Sequence, residues 1–242
     1  MIAEFSALPG IEKVEAAGSL RRGRETIFAQ AGRRAATSTG DLLFSSAFAE
    51  LAKNEDIAQL SALSAASSAL ARGELMQRAD AWRSDVTLER YLERCEMKTA
   101  RLFAAACELG ALAGGGPDLG PFGHAVGLAF QILDDVLDII GPAERTGKRR
   151  GADLLDGTVT LPLILARETS PELAELDLRA VSGPDEADRI CELIEATGAA
   201  ERARERALEL VASTKRSLPP QAGADQRRAL ELLADGLVQR YA

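Results

Sequence analysis

The chain has 242 residues, of which 46% are apolar and 27% are charged, so it is neither a collagen, a disordered low-complexity chain nor a disulfide scaffold. Aromatic residues make up only 4%, which disfavours a β-sandwich or β-barrel. The 29 Lys and Arg against 37 Asp and Glu give a net charge of −8, which argues against generic nucleic-acid binding. An anionic ligand must therefore be held by a few local cations.

Cysteine usage and hydropathy indicate the cellular compartment in which the protein is expected. The cysteines Cys95, Cys107 and Cys191 are odd in number and lack metal-site spacing, which is typical of reduced thiols in a cytosolic protein. No apolar run approaches the ~20 residues that span a bilayer, and residues 1–15 lack the pattern of a secretory signal. We therefore expect a cytoplasmic protein without a transmembrane segment.

Apolar residues recur at helical spacing along most of the chain, and no window alternates convincingly as a strand would. In chain order, the predicted helical stretches are 42–51, 60–75, 91–109, 122–140, 184–196, 198–217 and 224–241. The breaks between them are 54–56, 114–117, 141–142, 183–184 and 218–220. Ser84 or Asp85 is the expected N-cap of the third stretch. The stretch 122–140 is apolar nearly all round, which predicts a central helix in a single all-α domain.

Three aspartates, Asp134, Asp135 and Asp138, lie within this predicted central helix. Asp134 and Asp138 share one helix face, and Asp135 lies about 100° round from Asp134. No Lys or Arg occurs between Phe122 and Pro142 to neutralise the three carboxylates, so a divalent cation is the expected partner. Hard carboxylate oxygens favour Mg²⁺, which completes its shell with water and phosphate oxygens. The alternative is a solvated acidic helix edge, which the apolar flanks disfavour.

Side chains suited to holding a phosphate occur in three further places: the stretch 91–109, the glycine-flanked basic loop 147–153 and the arginine cluster 20–24. A basic loop is usually a solvated surface feature, and it gains weight here because it follows the aspartates. The candidates are Lys98 with Thr99, Lys148, and Arg21 with Arg22.

In combination, these motifs resemble the trans-polyprenyl diphosphate synthase family of farnesyl, geranylgeranyl and longer-chain synthases. The segment 127–138, GLAFQILDDVLD, is similar to that family's second aspartate-rich motif. The other segments that match in order are LRRGR at 20–24, GDLLF at 40–44, RGE at 72–74, Tyr91 with Lys98-Thr99, GK at 147–148, GADL at 151–154 and TLP at 160–162. The resemblance covers the chain from about Leu20 to its C-terminus.

This resemblance implies an all-α, single-domain isoprenoid-synthase-type helical bundle around a central cavity, usually dimeric. The implied substrates are an allylic prenyl diphosphate and isopentenyl diphosphate. Mg²⁺ and nearby cations stabilise the departing diphosphate, the double bond of isopentenyl diphosphate attacks the allylic cation, and a proton is lost. By matching position, the implied metal ligands are Asp134, Asp135 and Asp138. The implied contacts of the allylic diphosphate are Arg21, Lys98, Thr99, Gln131 and Lys148, with Arg22 on the homoallylic diphosphate and Lys98 and Lys148 as catalytic cations.

The sequence departs from the family pattern near its N-terminus. Residues 12–16 read EKVEA where the family has its first aspartate-rich motif, so Lys13 places a positive charge where a metal is expected. Whether Glu12 and Glu15 replace the missing aspartates is open. The family's two or three preceding helices have no counterpart, so we expect residues 1–242 to form a polyprenyl-synthase-like domain lacking those first helices. Thr158 also stands where many relatives have Lys.

Three functions are compatible with this pattern. The first is a prenyltransferase, either residually active or represented by a truncated gene start. The second is a non-catalytic or accessory subunit that pairs with a complete synthase, and the third is a prenyl diphosphate-binding lyase or cyclase. The second aspartate-rich motif favours ligand binding, whereas the altered first motif predicts weak condensation by this chain alone. A homodimer and a heterodimer with a complete synthase are both expected forms.

Overall fold

A computed structural model describes residues 20–21, 24–141 and 150–240. Over these residues the chain is overwhelmingly α-helical, which confirms the predicted all-α fold class. Extended structure within the described part is limited to the antiparallel pair of β1 (Leu20–Arg21) and β2 (Arg24–Glu25). The altered motif at 12–16, Arg22 and Lys148 lie outside the described residues, and Arg21 is placed only by its backbone in β1.

The first two helices flank the predicted break at 54–56. Helix α1 (Ile27–Ala52) is interrupted at Gly32, whose φ is 77°, and helix α2 (Ile57–Asp80) follows. The Asp56 carboxylate begins α2 by accepting hydrogen bonds from the backbone N–H groups of its first turn. Thr37 is the one buried residue of α1, so the described part of the chain leaves most of the surface of this helix uncovered.

The predicted third stretch is a helix with a local change of winding. It comprises α3 (Leu88–Cys95), a π-helical turn (Glu96–Ala100) and α4 (Arg101–Gly114). The Thr87 hydroxyl caps α3 by accepting from the Arg90 N–H, so the predicted cap at Ser84 or Asp85 is wrong. The Asp85 carboxylate instead pairs with Arg83 at 2.8 Å, which removes it from the helix start.

Helix α5 (Gly120–Ile140) is the central helix, as predicted. It packs against α3, the π-helical turn, α4 and helices that follow it. Two glycines allow close approach to its neighbours: a Cβ on Gly123 would lie 2.4 Å from the Phe103 carbonyl oxygen, and one on Gly127 would lie 2.8 Å from the Ala100 Cα. This close packing places the aspartate-bearing helix directly beside the π-helical turn.

The C-terminal half completes the bundle with short and long helices. They are α6 (Ala152–Leu155), α7 (Leu161–Arg167), α8 (Pro171–Ala174), a 3₁₀ turn (Leu178–Ala180), α9 (Pro184–Ala196), α10 (Ala199–Arg216) and α11 (Ala224–Arg240). The last three agree with the predicted stretches to within two residues at each end. Among the described helices, none combines the length and apolar character needed to cross a bilayer.

Candidate functional site

Two of the predicted phosphate-binding residues, Lys98 and Thr99, lie in the π-helical turn. Such turns are rare and occur frequently at functional sites. Gly73 of α2 permits the contact that holds this turn, because a Cβ there would lie 2.5 Å from the Lys98 backbone nitrogen. The two side chains leave the turn in different directions, Lys98 towards α2 and Thr99 towards α5.

Lys98 is held by two polar side chains of α2. Its Nζ donates to the Gln77 Oε1 at 2.8 Å and lies 3.1 Å from the Glu74 Oε1. The Gln77 amide also donates to the Thr158 Oγ1 at 3.5 Å, which connects this group to the segment before α7. An ammonium has three donors, so these contacts leave one direction for a ligand. The Lys98 side chain is 29% exposed and is therefore accessible to one.

Thr99 begins a hydrogen-bonded chain that runs into the core. Its hydroxyl donates to the Gln131 Oε1 at 2.6 Å, and the Gln131 amide donates to the Asp135 Oδ1 at 2.8 Å. The Tyr91 hydroxyl donates to the other carboxylate oxygen, Asp135 Oδ2, at 2.7 Å. We call this the Tyr91–Asp135–Gln131–Thr99 chain. It joins α3, the π-helical turn and α5 through side chains.

Burial controls the ionisation of the groups at the inner end of this chain. Burial raises the pKa of Asp135 to about 6, against the opposing effects of the hydrogen bonds from Tyr91 and Gln131 and of the charge of Arg94. Burial also raises the pKa of Tyr91 well above its usual value, so its hydroxyl remains a donor. The Arg94 guanidinium is buried 5.5 Å from the Tyr91 ring centroid and donates to the Val159 carbonyl at 2.6 Å.

The three aspartates differ in environment. Asp135 and Asp138 are buried, whereas Asp134 is exposed. The Asp138 Oδ2 accepts from the backbone N–H of Asp153 at 3.0 Å, and its carbonyl accepts from the Gly151 N–H at 2.7 Å, so Asp138 fixes the start of α6. In the part of the chain that the structure describes, no three His, Cys, Asp or Glu side chains come together as a metal site. The shared carboxylate face expected from the spacing is therefore divided between core and surface.

The described end of the basic loop is directed towards α9. The Arg150 guanidinium contacts the carboxylates of Asp188 at 2.8 Å, Glu192 at 3.3 Å and Glu195 at 2.7 Å. Three acidic partners on one helix neutralise this cation. Arg150 therefore anchors the loop to α9.

Sequence reasoning assigned no role to several residues that organise the site. They are Glu74, Gln77, Tyr91, Arg94 and Thr158. A usable signal was the spacing of Gly73, Glu74 and Gln77, which puts a small residue and two polar side chains on neighbouring positions of α2. Arg94 gave no such signal, because an arginine in an amphipathic helix is ordinarily solvated.

A cavity of about 370 Å³ lies beside the π-helical turn, between α2 and α4. Half of the residues that line it are alanines of the two helices, and Glu96 and Met97, which precede Lys98 in the π-helical turn, also line it. The side chains that line it are Ala62, Ala65, Ala66, Ser68, Ala69, Arg72, Glu96, Met97, Arg101, Ala104, Ala105 and Glu108. Polar groups and an apolar hollow therefore adjoin the same turn.

Comparison with known proteins identifies the family. The sequence profile described as polyprenyl synthetase matches residues 14–197, which is well over half of the chain. The chain belongs to the polyprenyl synthetase family. The resemblance drawn from the motifs is thereby confirmed.

Members of the polyprenyl synthetase family align with different shares of this chain. Heptaprenyl diphosphate synthase component 2 of Geobacillus stearothermophilus is 44% identical over 171 residues, which are 69% of this chain and 52% of that protein. A short chain isoprenyl diphosphate synthase of Methanothermobacter thermautotrophicus is 34% identical over 91% of this chain and 72% of its own length. The chain thus spans about half to three quarters of the length of these relatives.

A solved structure of the family has the same fold. The polyprenyl synthase of Caulobacter crescentus CB15, complexed with calcium and isoprenyl diphosphate, aligns with a TM-score of 0.87 and 34% sequence identity. The alignment covers 96% of this chain and 74% of that one. The bundle described above is therefore an isoprenoid-synthase-type fold.

Proposed function

We propose that this chain binds an allylic prenyl diphosphate with Mg²⁺ and condenses it with isopentenyl diphosphate. The observation that carries the proposal is that one π-helical turn bears both Lys98, which is held by α2, and Thr99, which donates a hydrogen bond to Gln131 of α5. Glu96 and Met97 of the same turn line the cavity between α2 and α4. These three residues were selected from the sequence as contacts of the allylic diphosphate. The named relatives, which are prenyl diphosphate synthases, support the same class of substrate.

The site suits the two unlike parts of a prenyl diphosphate. The Lys98 ammonium offers a positive charge to the diphosphate, and Thr99 and Gln131 offer polar groups beside it. The alanine-walled cavity between α2 and α4 suits an apolar prenyl tail, because burial of such a tail removes apolar surface from water. When the allylic C–O bond breaks, Lys98 stabilises the charge that develops on the diphosphate. The double bond of isopentenyl diphosphate supplies the electron pair of the new C–C bond. The carbocation formed by this attack then loses a proton to the released diphosphate, which restores a double bond.

The described residues fit Mg²⁺ through one carboxylate of α5 rather than three. Asp135 uses both oxygens for Tyr91 and Gln131, and Asp138 binds the start of α6, whereas Asp134 lies at the surface. Mg²⁺ commonly binds through one or two carboxylates, substrate phosphates and water. We therefore propose Asp134, the exposed carboxylate of α5, as a direct ligand, while Asp135 and Asp138 fix α5 against α3 and α6. Bound Mg²⁺ would supply charge neutralisation for the leaving diphosphate.

Calorimetric titration with geranyl diphosphate, with and without Mg²⁺, tests this proposal. We expect binding that depends on Mg²⁺, and we expect Asp134→Ala to remove the dependence while the fold is retained. Lys98→Gln is expected to weaken binding in both conditions, because it removes a charge that contacts the diphosphate directly. Glu209→Ala on α10 is the control, since it deletes an exposed carboxylate from a different helix. Unchanged titrations for Asp134→Ala would exclude this carboxylate as the ligand.

A second candidate function is an accessory subunit of a heteromeric prenyl diphosphate synthase. The name of the Geobacillus relative, component 2 of a heptaprenyl diphosphate synthase, favours it, and so does the largely uncovered α1. Because residues 12–16 carry no aspartate, we expect this chain alone to condense geranyl diphosphate with labelled isopentenyl diphosphate slowly. Turnover by the isolated chain on the order of 1 s⁻¹ or faster would contradict the accessory function.

A further inference from the structure

Tyr91 is completely buried, and the direction of its hydroxyl is the unusual feature of the core around α5. The ring packs in the hydrophobic cluster that contains Val126, Ile132 and Leu133, where a phenylalanine would satisfy the same packing. Its hydroxyl instead donates to the Asp135 Oδ2 at 2.7 Å. Since no part of Tyr91 is exposed, it cannot touch a ligand, and any effect on binding must pass through another residue.

The Tyr91 hydroxyl determines how the other side chains of the Tyr91–Asp135–Gln131–Thr99 chain are arranged. With Oδ2 occupied by Tyr91, the Asp135 carboxylate presents Oδ1 to the Gln131 amide nitrogen at 2.8 Å. Gln131 is thereby turned so that its Oε1 faces the Thr99 hydroxyl at 2.6 Å. A glutamine amide can be rotated to exchange its donor and acceptor ends, so the carboxylate is what selects one orientation.

Arg94, the nearest buried cation, is engaged elsewhere. Its Nη2 donates to the Val159 carbonyl, and its Nη1 makes no hydrogen bond among the described residues. The Asp135 carboxylate therefore depends on Tyr91 for the hydrogen bond to Oδ2. Removal of the hydroxyl would leave a buried carboxylate oxygen without that donor, which favours rotation of the carboxylate.

We propose that Tyr91 is a positioning residue of the diphosphate site, which acts through Asp135 to fix the amide orientation of Gln131 beside Thr99. This inference rests on the proposed function, because Gln131 and Thr99 are contacts of the diphosphate only if that function is correct. Its distinguishing consequence is that one buried oxygen atom sets the affinity for a ligand that it never contacts.

The first test is the Tyr91→Phe variant of the full chain, titrated with inorganic pyrophosphate and Mg²⁺. We expect binding to weaken about tenfold, since a hydrogen bond to a charged group is lost from the chain that orients the site. The control is Ile194→Val, which removes a methyl group from the other core cluster, around α9. It is expected to lower the midpoint of thermal unfolding and leave the affinity for pyrophosphate unchanged. Equal weakening by both variants would show a merely structural role and overturn the proposal.

The second test reads the orientation of Gln131 without any ligand. In ¹H–¹⁵N spectra, the side-chain amide signal of Gln131 is assigned by its loss in Gln131→Met. We expect Tyr91→Phe to shift or broaden this signal, because the amide loses its fixed acceptor, while Ile194→Val leaves it in place. Asp135→Asn provides the same test if Tyr91→Phe does not fold, since it replaces one of the two acceptor oxygens with an NH₂ donor, which then faces the donor of either Tyr91 or Gln131. An unmoved Gln131 signal would overturn the proposal.

A double-mutant cycle separates this inference from the proposed function. Tyr91→Phe and Gln131→Ala are expected to be non-additive in pyrophosphate affinity, whereas Tyr91→Phe and Lys98→Gln are expected to add, because Lys98 is held separately by α2. If wild type binds and Lys98→Gln weakens binding but Tyr91→Phe does not, the proposed function stands and the role of Tyr91 is overturned. If wild type itself does not bind pyrophosphate with Mg²⁺, both are overturned.

Discussion

At the scale of single residues, glycines decide how closely the helices around the site approach one another. Gly73 faces the Lys98 backbone at a distance that excludes any side chain, whereas a Cβ on Gly110 of α4 would have nothing within 4 Å of it among the described residues. Both lie inside helices, so alanine carries the same gain in helix propensity at each position. The two glycines therefore form a matched pair that separates packing from propensity.

We predict opposite effects of alanine at these two glycines. Gly73→Ala should lower the free energy of unfolding by about 1–3 kcal/mol, because the π-helical turn must move away from α2. It should also weaken pyrophosphate binding, since Lys98 moves with the turn. Gly110→Ala should raise the free energy of unfolding by about 0.5–1 kcal/mol. Urea denaturation measures both changes, and a destabilised Gly110→Ala or a neutral Gly73→Ala would contradict this account.

Thiol accessibility gives a second prediction for individual residues. Cys95 and Cys191 are buried, and burial raises the pKa of each to about 12, whereas Cys107 is only partly buried, although burial raises its pKa as well. We expect one thiol, that of Cys107, to react first with a thiol reagent at pH 8 in the native protein. Mass mapping of the modified cysteine checks this order. Reaction of all three at one rate would contradict the described burial.

The chemistry of the site was predictable residue by residue only in part. Lys98, Thr99 and Gln131 follow from the motifs, and the structure joins Thr99 to Gln131 while Lys98 is held separately by α2. The spacing of Asp134, Asp135 and Asp138 predicts carboxylates close to one another but not their burial, which depends on what α3 and α6 place against each side of α5. The sequence around the aspartates shows no group that could balance their charge. Such groups do exist, because the Tyr91 hydroxyl and the Arg94 charge act on Asp135 from a different helix.

At the scale of elements, Arg94 ties α3 to the segment that leads into α7. The side chain is buried, and its donation to the Val159 carbonyl is one of the polar contacts between these two parts of the bundle. The backbone N–H of Trp82 makes a second contact to this segment by donating to the Gly157 carbonyl at 2.8 Å. The segment 157–159 is thus fixed by backbone carbonyls rather than by apolar packing alone.

We predict that Arg94→Met destabilises the protein by about 1–3 kcal/mol, because the Val159 carbonyl loses its guanidinium donor inside the core. The control is Arg101→Met on α4, whose guanidinium is 57% exposed and pairs with Glu96 at the surface. That substitution should change the free energy of unfolding by less than about 0.5 kcal/mol. Urea denaturation compares the two, and equal effects would show that the buried contact does not stabilise the bundle.

Element boundaries followed from the sequence wherever a local stop signal coincides with the end of the apolar pattern. Gly115, with a φ of 63°, ends α4, and Gly183 precedes α9. The short helices α6 and α8 were not predicted, because four residues are too few to show a helical period. The π-helical turn was also hidden, since its apolar spacing continues that of α3 and α4.

At the scale of the whole molecule, α1 is notable because its apolar face is not covered by the described part of the same chain. Its apolar stripe at 42–51 reads as a core face, yet Leu42 and Leu43 are each 66% exposed and Phe44 is 41% exposed. Periodicity shows that a face is apolar but cannot show which chain covers it. The position of α1 next to α2 leaves this face outward in the described residues. A second copy, or a related synthase subunit, is the partner that we propose for it.

We predict that this face makes the chain self-associate and that one charge within it disrupts the association. Sedimentation analysis of wild type should give the mass of two chains of 25.7 kDa each. Leu43→Glu should raise the dissociation constant at least about tenfold, because a carboxylate would be buried without a partner. Leu233→Glu on α11 is the control, since Leu233 is 56% exposed on a different helix and should tolerate a charge without effect. A monomeric wild type would contradict self-association through this face, and dissociation by Leu233→Glu alone would place the interface elsewhere than on α1.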